Sequence, residues 1–346
     1  MDLWILTEDF QRVGIVDTAT SIIWANRHRQ HGDFEIYISA SAAMLDLLQE
    51  DCLVMRDDDD MVGIIEKIEL STDEENGDFL TVTGRCTRII LDRRIVWEQT
   101  TIDSTVENGM RQLVTDALIS PTIEERKYSG LTLAAEHGYS DRLRAQYTGT
   151  NIKETVESLC AANNYGYKMP LVGDVLELDF YKGIDRSASQ SERARVIFSE
   201  EYDNLTATTY TRDKSNYKSV VLVAGEGEGA ARRHATVSRN TDVSGLHRRE
   251  LYVDARDISS NEGAIADDEY LAQLAERGET ALSESPIVES VEGTVEPLQT
   301  YTYKVDYFLG DIVTVINKYG IAADAQVLEV VETWDQDGYT CTPTFG

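Results

Sequence analysis

The chain has 346 residues, of which 42% are hydrophobic, and a formal net charge of -30 at pH 7. That charge excludes generic DNA binding, which needs a basic face to displace counterions from phosphate, and it argues against anionic membrane surfaces. At ~100–200 residues per domain, the length predicts two or three domains. Because prolines are few and no long Ser/Gly/Pro-rich linker occurs, we expect these domains to pack against each other.

The four cysteines, Cys52, Cys86, Cys160 and Cys341, are scattered along the chain, and none belongs to a C-x-x-C pair. This pattern favours reduced, buried thiols in a protein assembled in the cytoplasm over a disulfide framework or a zinc site. Residues 1–6 carry no basic segment followed by an extended apolar stretch, so they are not a signal peptide. No run approaches the ~18 apolar residues of a membrane span.

The first hundred residues are predicted to be mostly β-strands. Residues 34–38 alternate between polar and apolar side chains. Residues 61–70 and 79–83 form the clearest hairpin, in which Asn76-Gly77 supplies the positive φ of a tight turn.

Helices are predicted where apolar residues recur at helical spacing, mostly behind a capping residue. The first covers residues 42–49 with Ser41 as the cap, and the second covers residues 88–95. The third covers residues 106–117 behind a capping box of Ser104 and Glu107, and the fourth starts at Asn151 with Glu154 three residues on. The last covers residues 267–282, with inward-facing side chains at Tyr270, Leu271, Leu274 and Ala281. Pro121 lies just beyond the helix over residues 106–117, as expected of a residue that cannot continue a helix.

Further strands are predicted before and after the last helix. They cover residues 167–169, 176–181, 219–224, 248–254, 301–307, 311–316 and 325–333, with Gly310, Gly320 and Gly338 at turns. The successive apolar residues 220–223 are typical of a strand that is buried on both faces.

Strands come first and last, with helices between them. This order predicts an α+β, β-rich fold in which two β-barrel domains frame an α/β middle region. The predicted boundaries are 1–100 for the first β-barrel-type domain with short helices, 101–190 for the α/β module, and 191–346 for the second β-barrel-type domain with a helical insertion around 262–285.

Two groups of residues could hold a metal ion. His28 and His31 stand three residues apart, but their polar neighbours before a glycine predict a surface loop. Two imidazoles without a placed third ligand do not make a zinc site. The aspartate run from Asp57 to Asp60 lacks the D-x-D-x-D-G spacing and the distal glutamate of an EF-hand loop. A solvated connection between strands is therefore the favoured interpretation of the run, with weak metal binding as the alternative.

The Gly225 to Gly229 stretch, Gly-Glu-Gly-Glu-Gly, follows a strand as a phosphate loop does, but it has no Walker lysine and its glutamates would repel phosphate. Arg232 and Arg233 are expected to pair with this acidic loop or with a neighbour. The 62 acidic residues provide many carboxylate pairs of the kind that glycosidases use, yet nothing selects one pair. No G-x-S-x-G nucleophile elbow occurs. We therefore predict no catalytic, cofactor-binding or metal-binding residue, and no cofactor.

Several segments, taken together and in order, resemble a known family. They are residues 34–38, residues 84–97, Tyr202-Asp203-Asn204-Leu205, residues 217–229, residues 249–257 and Asp306-Tyr307-Phe308-Leu309-Gly310-Asp311-Ile312-Val313. From about residue 34 to the C-terminus, the chain is similar to a siphovirus tail protein family related to the baseplate hub. This family lies at the tip of long-tailed phages, is also found in prophages of Gram-positive bacteria, and is similar to the N-terminal hub region of tail-associated lysin type proteins.

The resemblance implies a fold and a set of partners. Hub proteins of this kind have two β-barrel domains related by pseudo-symmetry, and three copies make a ring whose six barrels match the six-fold tail tube. The implied partners are two further copies in a homotrimer, the distal tail protein ring, the tape measure protein, and receptor-binding or lytic tip proteins. Viral DNA is expected to pass only transiently through an acidic lumen, and no direct membrane binding is expected.

The family brings no catalytic residues, and the chain stops at Gly346 after a final strand. We therefore expect a structural hub without its own lysin, located at the virion tail tip after synthesis and assembly in the host cytoplasm. One alternative is an enzyme, a cell-wall hydrolase (tail lysin) that uses acidic residues or a weak metal site. A further alternative is a β protein that binds host-surface carbohydrate. It ranks third because the four tryptophans do not form a sequence-local stacking patch; they are Trp4, Trp24, Trp97 and Trp334.

Overall fold

The computed structural model describes residues 1–73, 77–240, 244–295, 300–320 and 322–346. Strands account for 42% of the chain and helices for 21%, which confirms the prediction of a β-rich α+β fold. Within these residues, no helix has the length and apolar character that crossing a membrane requires.

The N-terminal residues form seven strands and one short helix. They are β1 (Leu3–Leu6), β2 (Arg12–Val16), β3 (Ser21–Arg27), β4 (Asp33–Ser39), α1 (Ala42–Leu47), β5 (Leu53–Arg56), β6 (Val62–Asp73) and β7 (Gly77–Cys86). The strands pair antiparallel in the order β3-β4-β7-β6-β5-β1-β2. Alternate side chains enter one shared core, in which Trp24, Ile36 and Val82 are fully buried.

The middle of the chain holds most of the helices. A 3-10 helix over Thr87–Arg93 is followed by β8 (Thr100–Thr105), α2 (Val106–Val114), a π-helical turn over Thr115–Ile119, a 3-10 turn over Glu124–Arg126, β9 (Leu131–Leu133), β10 (Arg142–Tyr147), α3 (Ile152–Asn163), β11 (Gly166–Lys168), β12 (Leu171–Val172) and β13 (Val175–Tyr181). β8 pairs with β10, and β13 pairs with β9, β11 and β12. The core of this region also takes in Leu6, Leu53 and Val62 from the N-terminal strands.

The C-terminal residues add nine strands and one long helix. They are β14 (Ile197–Ser199), β15 (Leu205–Asp213), β16 (Val220–Ala224), β17 (His234–Ser238), β18 (Glu250–Asp254), α4 (Asp267–Ser283), β19 (Val288–Val295), β20 (Ile312–Ile316), β21 (Ala322–Asp335) and β22 (Gly338–Phe345), with 3-10 turns over Glu200–Tyr202, Gly229–Ala231 and Gly245–His247. β16, β17 and β18 form a separate sheet whose core with α4 includes Val221, Val223 and Tyr270. β15, β19, β22 and β21 pair in that order, and β20 joins β21 to β14.

Several local predictions are confirmed. Ser41 and Asn151 cap α1 and α3 by accepting hydrogen bonds from backbone N–H groups. β6 and β7 form the predicted hairpin; Asn76 of its turn lies outside the described residues. A positive φ, which favours glycine, occurs as predicted at Gly77. It occurs also at Gly310, Gly320 and Gly338, which were predicted to lie at turns.

The capping box predicted for α2 is wrong in its partners. Thr105, rather than Ser104, accepts the hydrogen bond from the N–H of Asn108. Glu107 is buried, and its carboxylate accepts hydrogen bonds from the backbone N–H groups of residues 137–139 instead. The glutamate therefore ties a distant loop to the helix.

Three further predictions in the C-terminal part are wrong. Residues 301–307 form turns rather than a strand, since the Asp306 carboxylate accepts the N–H of Thr302 at 2.7 Å and so competes with strand pairing. Leu271 is 40% exposed rather than facing inward. Leu222 of β16 is 41% exposed, because α4 covers only one face of the three-stranded sheet.

Pairing of β3 with β21 joins the N- and C-terminal strands into one 13-stranded sheet, and this sheet is rolled. β5 lies five strand positions from β21 along the sheet, about 24 Å if the sheet were flat. Nevertheless, Arg56 of β5 and Glu332 of β21 are 2.7 Å apart. Among the described residues the path of paired strands ends at β2 and β15, so these pairings do not establish the two closed barrels that were predicted.

Candidate functional site

A buried charge cluster joins the N-terminal strands to the C-terminal strands. Arg56 is fully buried; it donates to both carboxylate oxygens of Asp58 at 2.8 and 2.9 Å, and to Glu332 at 2.7 Å. Its guanidinium lies 4.3 Å from the ring centroid of Trp334. Burial alone would lower the pKa of Arg56, but the hydrogen bonds to these two carboxylates raise it. The cluster therefore contains a permanent positive charge.

Lys304 extends this charge cluster. Its Nζ lies 2.7 Å from Oδ2 of Asp59 and 3.6 Å from Oε2 of Glu332, and both carboxylates are only 5% exposed. The Tyr339 hydroxyl donates to Oε1 of Glu332 at 3.0 Å. Buried carboxylates need such partners, because an unpaired charge in the interior is strongly unfavourable. The cluster thus holds segments that are far apart in sequence in one arrangement.

The aspartate run from Asp57 to Asp60 contributes to this cluster, so the prediction of a solvated connection is wrong for Asp59. Asp58, at 48% exposure, is still partly solvated. Burial and the neighbouring Asp59 raise the pKa of Asp60. In the part of the chain that the structure describes, no group of three or more His, Cys, Asp or Glu side chains is placed to hold a metal ion. The local sequence gives no sign that the binding partners of this run include a distant lysine.

His28 is buried, which corrects the prediction of two surface histidines. Its Nδ1 lies 3.2 Å from the Tyr181 hydroxyl. Gly166 and Gly310 pack so closely on its ring that a Cβ at either would come within 2.1 or 2.4 Å of it. Burial is the main reason that the pKa of His28 is lowered to about 3, so the ring is neutral at pH 7. His31 remains 24% exposed.

A cleft of about 400 Å³ lies beside the charge cluster and shares Asp59 and Lys304 with it. In its wall, Arg88 is 1% exposed and donates from Nη1 to the carbonyls of Arg27 and Tyr167 at 2.7 and 2.8 Å. Among the described residues, Nε of Arg88 and Oδ1 of Asn26 have no hydrogen-bond partner. Buried polar atoms of this kind are normally satisfied by ordered water, so the cleft fits water or a small polar group.

The Gly225 to Gly229 loop is held by ion pairs, as predicted for the arginines that follow it. Arg233 binds Glu226 at 2.6 Å, and Arg232 binds Asp254 at 2.7 Å. Burial by itself would raise the pKa of Glu226, but hydrogen bonds from two serines and from Arg233 lower this pKa to about 2. Because its glutamate is ionised and already paired, this loop is unsuited to binding phosphate.

The path of paired strands in the rolled sheet ends at β2 and β15, and each of them has a single neighbour among the described residues. The same holds for β14, which branches off this path and pairs with β20. On β2, Val13 is 54% exposed and Ile15 is 37% exposed. An apolar edge strand presents unpaired N–H and C=O groups that readily pair with another chain. These edges are therefore the candidate assembly surfaces.

Prophage tail proteins have this fold. The chain superposes on the 43 kDa tail protein of prophage MuSo2 from Shewanella oneidensis with a TM-score of 0.61 and 14% identity, covering 100% of this chain and 98% of that one. The tail protein from Neisseria meningitidis MC58 superposes with a TM-score of 0.56 and 16% identity, covering 99% of this chain and 95% of that one. Prophage tail protein gp18 from Listeria monocytogenes EGD-e superposes with a TM-score of 0.56 and 11% identity, covering 100% of this chain and 94% of that one. At such identities the similarity establishes the fold alone.

The amino-acid sequence identifies the family to which the chain belongs. Residues 2–346 match the model of the siphovirus ReqiPepy6 Gp37-like protein family. The chain belongs to this family of siphovirus tail proteins, which confirms the resemblance found in the sequence. No curated protein is detectably similar to the chain in sequence.

Proposed function

We propose that this protein is the structural hub of a phage tail tip, a homotrimer whose ring closes the distal end of the tail tube. The observation that carries the proposal is the rolled sheet, whose two halves enclose separate cores around Trp24 and Tyr307. Two such halves per chain give six similar units in a trimer, which matches a six-fold tube. The tail-protein fold and family are consistent with this role.

In this proposal, each half of the sheet belongs to one of two β-barrel domains related by pseudo-symmetry. The first domain comprises residues 1–100 and the second comprises residues 191–346, with the helical insertion around 262–285. Residues 101–190 form the α/β module between them. The separate cores of the two half-sheets support this division.

We assign the contact between subunits to the two strands at the ends of the path, with β2 of one copy pairing with β15 of the next. A contact between unlike edges is heterologous, and it closes into a ring when the rotation between subunits is suitable. Pairing would satisfy the free backbone groups of both edges and cover Val13 and Ile15.

The net charge of -30 supports a lumen through which DNA passes without binding. An acidic lining offers DNA no gain from counterion release. The partners in this role are the distal tail protein ring and the tape measure protein on one side, and receptor-binding or lytic tip proteins on the other. The chain acts as a structural subunit rather than as an enzyme, and it does not itself bind a membrane.

Size-exclusion chromatography with light scattering, run on the full chain with and without purified distal tail protein, tests this proposal. We expect a species of three times the chain mass, and no release of soluble fragments from peptidoglycan. A stable monomer that clears cell walls would support the hydrolase alternative and overturn the hub.

A further inference from the structure

Trp97 differs from the other tryptophans in its exposure. Trp24 is fully buried, and Trp4 and Trp334 are partly buried, each with an arginine over its ring at 4.5 and 4.3 Å. Trp97, in contrast, is 57% exposed. A large amphipathic ring held in solvent is typical of a binding surface.

The position of Trp97 is fixed by its neighbours. Val96 is buried, and its N–H donates to the carbonyl of Thr150 at 2.8 Å. Arg126 donates from Nη2 to the carbonyl of Ile95 at 2.7 Å, and its guanidinium lies 5.3 Å from the indole centroid. These contacts hold the backbone beside Trp97 and place Arg126 over its ring, which reduces the ordering that a ligand must impose and so favours binding.

Trp97 lines a cleft of about 320 Å³ whose other exposed walls are mostly polar. The polar groups include Glu98, Gln99, Gln112, Asp116, Ser120 and Thr122. Asp116 lies on the π-helical turn over Thr115–Ile119, a geometry that often occurs at functional sites. Glu98 already accepts a hydrogen bond from the Thr122 hydroxyl through Oε1 at 3.0 Å, and Gln112 is a hydrogen-bond partner of Asp116. A carboxylate can accept several hydrogen bonds, so a ligand would bind through the remaining lone pairs of these two groups.

One fixed aromatic ring beside carboxylate, amide and hydroxyl groups fits a sugar. The C–H face of a pyranose packs on an indole, and its hydroxyls donate to carboxylates and exchange hydrogen bonds with amides. The two carboxylates of the cleft outnumber its single guanidinium, which disfavours nucleic acid and acidic polysaccharide. A protein-binding hot spot would set the tryptophan in a well-packed, desolvated pocket rather than among polar side chains.

We propose that the Trp97 cleft binds a neutral saccharide, with Trp97 as the packing surface and Glu98 and Asp116 as hydroxyl acceptors. The proposal does not depend on the trimeric ring, because it rests on residues of one chain. It gives the chain a binding activity in addition to its structural role.

Titration of the full chain with neutral tetrasaccharides of N-acetylglucosamine, glucose, galactose and mannose tests this proposal, read by tryptophan fluorescence and calorimetry. We expect at least one to bind with a Kd of about 1 mM or tighter. Trp97→Ala should weaken that binding roughly tenfold or more, and Trp97→Phe less, because losing the packing surface removes on the order of 1.4 kcal/mol. Glu98→Gln should weaken it by a smaller factor.

The matched control is Tyr252→Ala, since Tyr252 is an equally exposed aromatic residue (55%) on the separate three-stranded sheet. This variant should bind the saccharide as the unchanged protein does. Failure of all four saccharides to bind would overturn the proposal, as would equal binding by Trp97→Ala. If Trp97→Ala instead dissociates the oligomer while circular dichroism shows it folded, the cleft is a protein contact and the proposal is wrong.

Discussion

Arg56 and Glu332 are 276 positions apart in sequence, and their side chains meet at 2.7 Å in the interior. Their contact is possible only because the sheet between their strands is rolled. Since Glu332 also binds Lys304 and Tyr339, one glutamate connects the N-terminal strands, the 301–307 turn and the C-terminal hairpin.

Arg56→Ala should lower the free energy of unfolding by about 3–5 kcal/mol, because it leaves Glu332 as a buried charge with a weaker partner. Urea denaturation followed by circular dichroism measures this change. The matched control is Arg85→Ala, whose pair with Glu66 is 41% and 28% exposed; its expected effect is at most about 1 kcal/mol. Equal effects of the two substitutions would contradict the importance of the charge cluster.

His28 predicts how stability depends on pH. Its pKa is about 3 in the folded protein, against about 6.5 when unfolded. Between these values only the unfolded chain binds the proton, so this group's contribution to stability falls as pH falls below about 6.5. From pH 7.5 to pH 5 the folded state should lose about 2 kcal/mol through His28.

Between pH 7.5 and pH 5, the variant His28→Gln should lose about 2 kcal/mol less stability than the unchanged protein, because glutamine does not titrate. Urea midpoints of both proteins at pH 7.5 and pH 5 provide the comparison, in which only the change with pH matters. The same pH-dependent loss in both proteins would show that His28 is not held neutral.

Gly310→Ala should be more destabilising than Gly320→Ala. Both residues have positive φ, at 89° and 74°, so a side chain adds backbone strain of about 1–2 kcal/mol at either. Only at Gly310 would the new Cβ also meet the His28 ring, at 2.4 Å, whereas Gly320 faces open space. This overpacking should lower the stability of Gly310→Ala by a further amount of about 1–3 kcal/mol, the cost of inserting a methyl group into a packed core. Thermal unfolding of the two variants measures the difference. Equal Tm values would contradict this packing.

The proposed subunit contact predicts that charges on β2 block assembly. The double variant Val13→Lys, Ile15→Lys should be monomeric in light scattering under conditions in which the unchanged chain is trimeric, because both residues would be buried beside β15. Tyr319→Lys is the control, at an 80% exposed position between β20 and β21. An unaffected trimer in the double variant would mean that β2 is not part of the interface.

What could be predicted from sequence was local. Asn151, Ser41 and Gly77 act within a few residues of themselves, so capping and turn rules placed them correctly. Helix α4 was found for the same reason, since its buried residues recur within one short segment.

What could not be predicted depends on residues brought together from distant positions. His28 is buried by Gly166, Tyr181 and Gly310, and none of these is a neighbour in sequence. Asp59 is buried by pairing with Lys304. The walls of the Trp97 cleft come from residues 95–101 and 112–126, so counting tryptophans along the chain could not reveal it.

A reconstruction of the assembled tail tip at side-chain resolution tests the hub role most directly. It should show three copies of this chain in a ring at the distal end of the tail tube, with β2 of one copy beside β15 of the next and an acidic lumen. A basic lumen, or this chain placed outside the ring that closes the tube, would contradict the account.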